Sequence, residues 1–200
     1  ILLCALGVRL VAAAGLQWYL DERLQRDFLI EGDAEGYWML AERIAEGRPY
    51  EIYDPPRRVL RMPGFPVVLA AAIAFADRAG LSDKRFLVAR CLLAGVGTIA
   101  CGLVSLLGKE LFDEKAGCLA AAITAVAPVL VGFSVEILSE TLFAAGLLLN
   151  LWLMAKLRLA RGGDLARPAI GLSLAVGATA ALACYARPSW LLAAPAFAVL

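Results

Sequence analysis

Residues 86–108 read FLVARCLLAGVGTIACGLVSLLG, an apolar run in which Arg90 is the only charged residue. A helix needs about 20 such residues to cross the hydrocarbon core of a bilayer, which is about 30 Å thick. Because that core holds no water to satisfy open backbone groups, a run of this kind favours a continuous helix. The segment therefore predicts a transmembrane helix, and with it an α-helical membrane fold.

Similar apolar runs occur on both sides of this segment. Four of them are long enough to predict further spans, and a fifth is still apolar where the sequence ends; they cover about residues 1–20, 116–133, 135–155, 168–186 and 189–200. We therefore predict an all-α, polytopic transmembrane helix bundle forming one domain. Because the sequence starts at Ile1 and ends inside an apolar run, we expect it to be the N-terminal part of a longer protein.

The composition agrees with a membrane protein and excludes several functions. Hydrophobic residues make up 62% of the chain, mean hydropathy is +0.77, and charged residues are only 18%, against about 25% in soluble domains. A net charge of +1 argues against nucleic acid as a partner. The absence of histidine excludes a His-ligated zinc and a Ser-His-Asp triad. The five cysteines form no CxxC pair and are interpreted as small core residues.

Most of the acidic residues lie in a polar loop, residues 21–84, between the first two predicted spans. Within it, Asp33 is predicted as the N-cap of an amphipathic helix over about 34–46, and Gly47 as its C-terminal stop. A second helix is predicted over about 64–76. The apolar stretch from Pro63 to Ala76 is only 14 residues long, and runs of about 10–14 residues are more often interfacial than spanning.

Charge bias separates the two possible topologies of this stretch. If it does not span, two short loops share one side of the membrane and carry six basic residues, which is typical of a cytoplasmic face: Lys109, Lys115, Lys156, Arg158, Arg161 and Arg167. If it does span, these residues lie outside. We prefer the first topology, in which the 21–84 loop, Glu140 and Arg187 all face outward.

Two carboxylates are the main candidates for chemistry. Asp33 is either a simple helix cap or a catalytic carboxylate at the membrane surface, and Glu35 is a weaker candidate of the same kind. Glu140 and Glu136, four residues apart, are predicted on one helix face at the mouth of a span. Acidic residues in that position are costly and usually functional, although the helix dipole alone also favours them.

Arginines before two proline motifs are candidates for binding phosphate. Arg61 precedes Met62-Pro63-Gly64 and Arg187 precedes Pro188. A guanidinium pairs with two phosphate oxygens at once, which suits a phosphorylated ligand at headgroup level. The alternative is that each arginine extends to the phosphates of membrane lipids.

Taken in order, these motifs resemble the membrane glycosyltransferases of the GT-C fold, and more narrowly bacterial glycosyltransferase family 39, whose relatives include the dolichyl-phosphate-mannose protein mannosyltransferases. The motifs that carry the resemblance are Arg9 within the first span, Gly32-Asp33-Ala34 with Tyr37, Leu40 and Ala41, Arg61-x-Pro63-Gly64-Phe65-Pro66, Ala89-Arg90, Gly108-Lys109-Glu110-Leu111-Phe112, Leu138-Ser139-Glu140-Thr141-Leu142-Phe143 and Arg187-Pro188.

The resemblance implies transfer of a sugar, with inversion, from a polyprenyl-phosphate donor to an acceptor at the outer face of a bacterial plasma membrane. It implies Asp33 as catalytic base and Glu140 as a second acidic residue of the site. Arg61 and Arg187 would then bind the donor phosphate, and Tyr37 and Glu35 would line the substrate site.

The acceptor and the sugar stay open at this point. So does the need for a divalent cation, Mg²⁺ or Mn²⁺, which two carboxylates alone do not establish. The expected partners are the lipid-linked sugar donor and membrane lipids. The main alternative is a transporter or flippase for a lipid-linked sugar, and a structural membrane subunit is a third.

Overall fold

The structure is a computed structural model that describes residues 1–52, 55–56, 61–161 and 166–191. All regular elements in these residues are helices, so the predicted all-helical fold is confirmed there. The helices are α1 Leu2–Tyr19, α2 Asp33–Ala45, α3 Gly64–Arg78, α4 Arg85–Leu111, α5 Glu114–Val126, α6 Pro128–Phe133, α7 Glu140–Arg161 and α8 Ala166–Ala186. A π-helical turn, Leu20–Leu24, extends α1, and a 3-10 turn, Ser82–Lys84, precedes α4.

Three helical segments of the described residues are long and apolar enough to cross a membrane, and they support the membrane protein that the composition predicts. They are Leu2–Leu24, Ser82–Leu111 and Glu140–Leu159. A fourth apolar helix, Ile170–Ala186, is shorter. Most of the predicted span at 189–200 lies outside the described residues.

The predicted span over 116–133 is wrong as a single helix. It is divided into α5 and α6 at Ala127, whose ψ of 116° is not helical. The physical reason is Pro128, because a proline ring disfavours the helical conformation of the residue before it. Arg9, which is almost fully buried in α1, then donates to the carbonyls of Thr124 (3.1 Å) and Ala125 (3.0 Å) at the end of α5.

The predicted start of the 135–155 span is also wrong, because α7 begins at Glu140 and not at Val135. Arg90, buried in α4, donates to the Val135 carbonyl at 3.1 Å. That carbonyl is an acceptor that a helix through this segment would have used internally. Glu136 therefore lies in an irregular segment and does not share a helix face with Glu140.

The two helices of the 21–84 loop form close to the predicted bounds. Gly47 adopts a φ of +69° after α2, as expected of a glycine stop. The α2 helix is held down by aromatic packing, in which Trp38 stacks on Phe86 at 4.3 Å and Phe28 meets Phe86 edge-on at 5.4 Å. Phe28 and Trp38 belong to a buried cluster that joins α2, α3 and the start of α4, and Phe86 packs against it.

One end of the helix bundle collects the polar loop, and we call it the polar end. The start of α3 touches the end of α8 there so closely that a Cβ on Gly64 would lie 2.6 Å from the Tyr185 carbonyl oxygen. The start of α4 reaches the end of α1 through Arg90, whose Nε donates to Gln17 at 2.9 Å. The start of α7 packs at the same end, because α7 and α8 form an antiparallel pair.

Both ends of α3 lie at the polar end. Gly64 starts the helix against α8, and Asp77, near its C-terminus, accepts two hydrogen bonds from Arg85 at 2.6 and 2.8 Å. The helix has 15 residues, which corresponds to about 22 Å. It therefore does not run the length of the bundle beside α4.

Candidate active site

Asp33 is the first residue of α2 and not its N-cap, so the predicted capping role is wrong. The cap is Gly32, with a φ of +80° and no side chain to accept a bond. Instead, the Asp33 Oδ1 accepts a hydrogen bond of 2.8 Å from Nη2 of Arg61. A charge-assisted bond from a guanidinium is stronger than a bond from a backbone amide, which explains why the carboxylate points to Arg61. We call Asp33 and Arg61 the loop pair.

Arg61 is enclosed on several sides, whereas Asp33 is open. The exposed fraction of the Arg61 side chain is 12% and that of Asp33 is 70%. Nη2 of Arg61 also donates to the Gly32 carbonyl at 3.2 Å, and the guanidinium lies 4.5 Å from the centre of the Tyr37 ring. Burial works to lower the pKa of Arg61, but the hydrogen bond and charge of Asp33 outweigh it and raise that pKa above its usual value.

Tyr50 holds the backbone of the same arginine. Its hydroxyl donates to the Arg61 carbonyl at 2.9 Å. Burial raises the pKa of Tyr50 to about 12, with a further contribution from Tyr37, although the charge of Arg61 opposes it. The hydroxyl therefore stays protonated and remains a donor at neutral pH.

Glu140 and Arg187 form a second ion pair, which we call the hairpin pair. Glu140 is the first residue of α7, Arg187 follows the end of α8, and the Nη1 and Oε1 atoms are 3.0 Å apart. Oε2 of Glu140 is buried and has no hydrogen-bond partner among the described residues. A buried carboxylate oxygen without a hydrogen-bond partner is uncommon in folded proteins.

Tyr37 connects the two pairs. One face of its ring contacts the guanidinium of the loop pair, and its hydroxyl lies 3.3 Å from the Ser139 hydroxyl. Ser139 is 1% exposed and is followed directly by Glu140 of the hairpin pair. The structure thus brings five of the six predicted site residues into one connected group at the polar end. The sixth, Glu35, is exposed on α2 and makes no hydrogen bond or ion pair among the described residues.

Glu136 stood out in the sequence only together with Glu140, with no role of its own in the site. Its Oε2 is buried without a partner in the part of the chain that the structure describes. Burial raises the pKa of Glu136; the charge of Arg90 opposes this shift and the charge of Glu140 adds to it. The spacing of four positions predicted Glu136 and Glu140 on one helix face. In the structure Glu136 lies in the irregular backbone before α7, so the two acids do not share a helix face.

The described residues contain no group of three or more acidic or cysteine side chains arranged to hold a metal ion. The two carboxylates predicted as catalytic, Asp33 and Glu140, are instead each paired with an arginine. The requirement for Mg²⁺ or Mn²⁺ remains a prediction without a ligand set in this part of the chain.

An apolar groove of about 630 Å³ runs along α7 and α8 beside the hairpin pair. Its lining includes Met62, Met154, Val176, Ala180, Tyr185 and Pro188. Met62 follows directly after Arg61, and Pro188 directly after Arg187. Two residues of the lining are therefore chain neighbours of the two arginines, and the apolar walls suit a hydrocarbon chain.

No family model matches the chain, and neither a curated protein nor a solved structure matches it. A functional proposal therefore rests on the chemistry and geometry of the polar end together with the motif resemblance described above.

Proposed function

We propose that this protein is a multi-pass membrane glycosyltransferase of the GT-C type, which moves a sugar from a polyprenyl-phosphate donor to an acceptor with inversion. The observation that carries the proposal is the polar end itself. Two carboxylates, each held by an arginine, are joined through Tyr37 and Ser139 beside an apolar groove. Such a site can accept a proton, bind an anion and receive a lipid chain.

In the proposed reaction, Asp33 removes the proton from an acceptor hydroxyl as that oxygen attacks the anomeric carbon. A bond forms between the acceptor oxygen and the anomeric carbon. The bond from this carbon to the phosphate oxygen breaks on the opposite side, and its electron pair leaves on the polyprenyl phosphate. The high exposure of Asp33 supports this role, because an acceptor can reach its carboxylate.

Arg187 is the stronger candidate for the donor phosphate. Its side chain is 42% exposed, and Pro188 next to it lines the groove. A cation at this position would stabilise the negative charge that develops on the leaving phosphate. Glu140 orients Arg187 through their ion pair.

We further propose that the polar end faces outward from a bacterial plasma membrane. At the opposite end of the bundle, Lys109 pairs with Glu114 at the start of α5, and Lys156 pairs with Glu110 near the end of α4. Basic residues in short loops favour the cytoplasmic side. The distribution therefore supports a cytoplasmic position for that end and an outward position for the candidate site.

The experiment uses the full-length protein in lipid vesicles, with polyprenyl-phosphate sugars as donors and a panel of lipid, peptide and glycan acceptors. Glycosyl transfer releases polyprenyl phosphate in step with the glycosylated acceptor. If the donor instead crosses the vesicle membrane intact, the protein is a transporter or flippase and the proposal is wrong. If neither occurs with any donor, the proposal also fails.

A further inference from the structure

The contacts of the Arg61 guanidinium argue against a role in binding phosphate. Its Nη2 is committed to Asp33 at 2.8 Å and to the Gly32 carbonyl at 3.2 Å. Its Nε is buried and has no partner in the described part of the chain. Because phosphate is held best by two neighbouring N–H groups of a guanidinium, the edge formed by these two nitrogens is unavailable to a ligand.

A glycine makes room for this arrangement. Gly36 lies within α2, where glycine is less favourable than alanine. A Cβ at this position would lie 2.7 Å from Nε and 2.9 Å from Nη2 of Arg61. Any side chain at position 36 would therefore push the guanidinium away from Asp33.

Tyr37 packs on another side of the Arg61 guanidinium and connects it to the start of α7. Its ring lies against the guanidinium, while its hydroxyl meets Ser139, the residue before Glu140. The position of the Asp33 carboxylate is thus set through Arg61 and Tyr37 relative to the start of α7. Exposed ion pairs lack this kind of support and contribute little.

We propose that Arg61 is a positioning residue for the catalytic Asp33, held in a cradle formed by Gly36 and Tyr37, and not a ligand of the donor phosphate. This inference rests on the proposed glycosyl transfer. Arg61 fixes Oδ1, the one Asp33 oxygen that is hydrogen-bonded within the described residues, and so directs Oδ2 towards the acceptor hydroxyl. Misplacing a catalytic group by about 1 Å costs about 10²-fold in rate.

The test is a double-mutant cycle of Gly36→Ala and Arg61→Ala in the full-length protein. Gly36→Ala should lower kcat by about 10²-fold and leave the donor KM within about twofold. It should have no further effect in the Arg61→Ala background, because it acts through that arginine. The matched control is Gly95→Ala, since Gly95 lies in α4 and has nothing within 4 Å of its Cβ position; this variant should keep full activity.

Two kinetic outcomes would overturn the proposal. A rise in donor KM of about tenfold or more at unchanged kcat, in Arg61→Ala, would make Arg61 a phosphate ligand. If Gly36→Ala lowers kcat equally in the wild-type and Arg61→Ala backgrounds, the substitution disturbs α2 and not the guanidinium.

Thermal unfolding of the wild type, the two single variants and the double variant tests the contact between Gly36 and Arg61 independently of catalysis. Gly36→Ala should lower Tm by about 2–4 °C or more when Arg61 is present and should not lower it in the Arg61→Ala background. If the wild-type protein shows no transfer, the proposed function fails while this cycle still tests the cradle. If the Tm shift is the same in both backgrounds, the cradle itself is refuted.

Discussion

Replacing Asp33 with asparagine separates catalysis from stability, because the two effects differ in size. Asparagine keeps the shape of the side chain but cannot accept a proton, so loss of a general base should lower the rate of transfer by about 10² or more. That factor corresponds to about 2.7 kcal/mol of transition-state free energy. By contrast, the free energy of unfolding should change little, because the Asp33 side chain is 70% exposed and asparagine keeps an oxygen that can accept the hydrogen bond from Arg61.

The chain offers a matched control in Asp77→Asn. Asp77 is also paired with an arginine, Arg85, through bonds of 2.6 and 2.8 Å, and it lies away from the groove at the far end of α3. The hydrogen bond from Arg85 lowers the pKa of Asp77; desolvation opposes this shift, and a hydrogen bond from Ser82 adds to it. Any stabilisation from this pair is therefore present above the usual pKa of an aspartate and is lost as the pH falls through its lowered value.

The assay is the initial rate of sugar transfer at saturating donor, normalised to the amount of folded protein, with thermal unfolding measured in parallel. We expect Asp33→Asn to lose about 10²-fold or more in rate at nearly unchanged Tm. We expect Asp77→Asn to keep full activity. Turnover of Asp33→Asn close to that of the wild type would refute Asp33 as the base, and an equal loss in both variants would show that the effect is structural.

Three further predictions concern the packing, titration and topology of the bundle. Gly64→Ala should destabilise the protein by about 1–3 kcal/mol, because its Cβ would meet the backbone at the end of α8; Gly171→Ala, at an open position in α8, is the control, and equal unfolding free energies would contradict the close contact. Glu136→Gln should raise Tm at neutral pH but not in acid. The raised pKa of Glu136 means that the folded state disfavours its charged form, which is present at neutral pH, but not its protonated form, which is present in acid. An effect on Tm that does not change with pH would contradict this prediction. In a background without native cysteines, single cysteines at Ser82 and Asp113 should be labelled from opposite sides of a vesicle, since they lie at the two ends of α4; labelling from one side would reject the proposed topology.

Local features of the sequence predicted α2, α3 and the long apolar helices. The glycine at position 47 ends α2 as expected, because a positive φ is a property of the residue itself. The break between α5 and α6 also had a local signal in Pro128, although hydropathy alone favoured one span. By contrast, the start of α7 depends on Arg90 taking the Val135 carbonyl, and no local pattern near Val135 indicates that contact.

The candidate site could be predicted in part. Arg61, Glu140 and Arg187 stood out because they lie beside prolines or an apolar run, and Asp33 stood out because it lies at the predicted start of a helix in the polar loop. Which of them pair was not predictable, since the partners are separated by long stretches of chain and several charges compete for each arginine. The structure also changes the role that we propose for Arg61, because its enclosure by Gly36 is a tertiary contact.

By itself, the amino-acid sequence determined the all-helical class and the apolar helices long enough to cross a bilayer. Hydropathy and helix signals act over one or two turns, so they can be read without knowing the fold. Only the tertiary structure decided what the buried arginines do. Arg9 and Arg90 bind backbone carbonyls of distant segments, and every residue offers such a carbonyl. A contact with the backbone therefore leaves no signature in the sequence of its acceptor, and it becomes visible only when the segments meet in space.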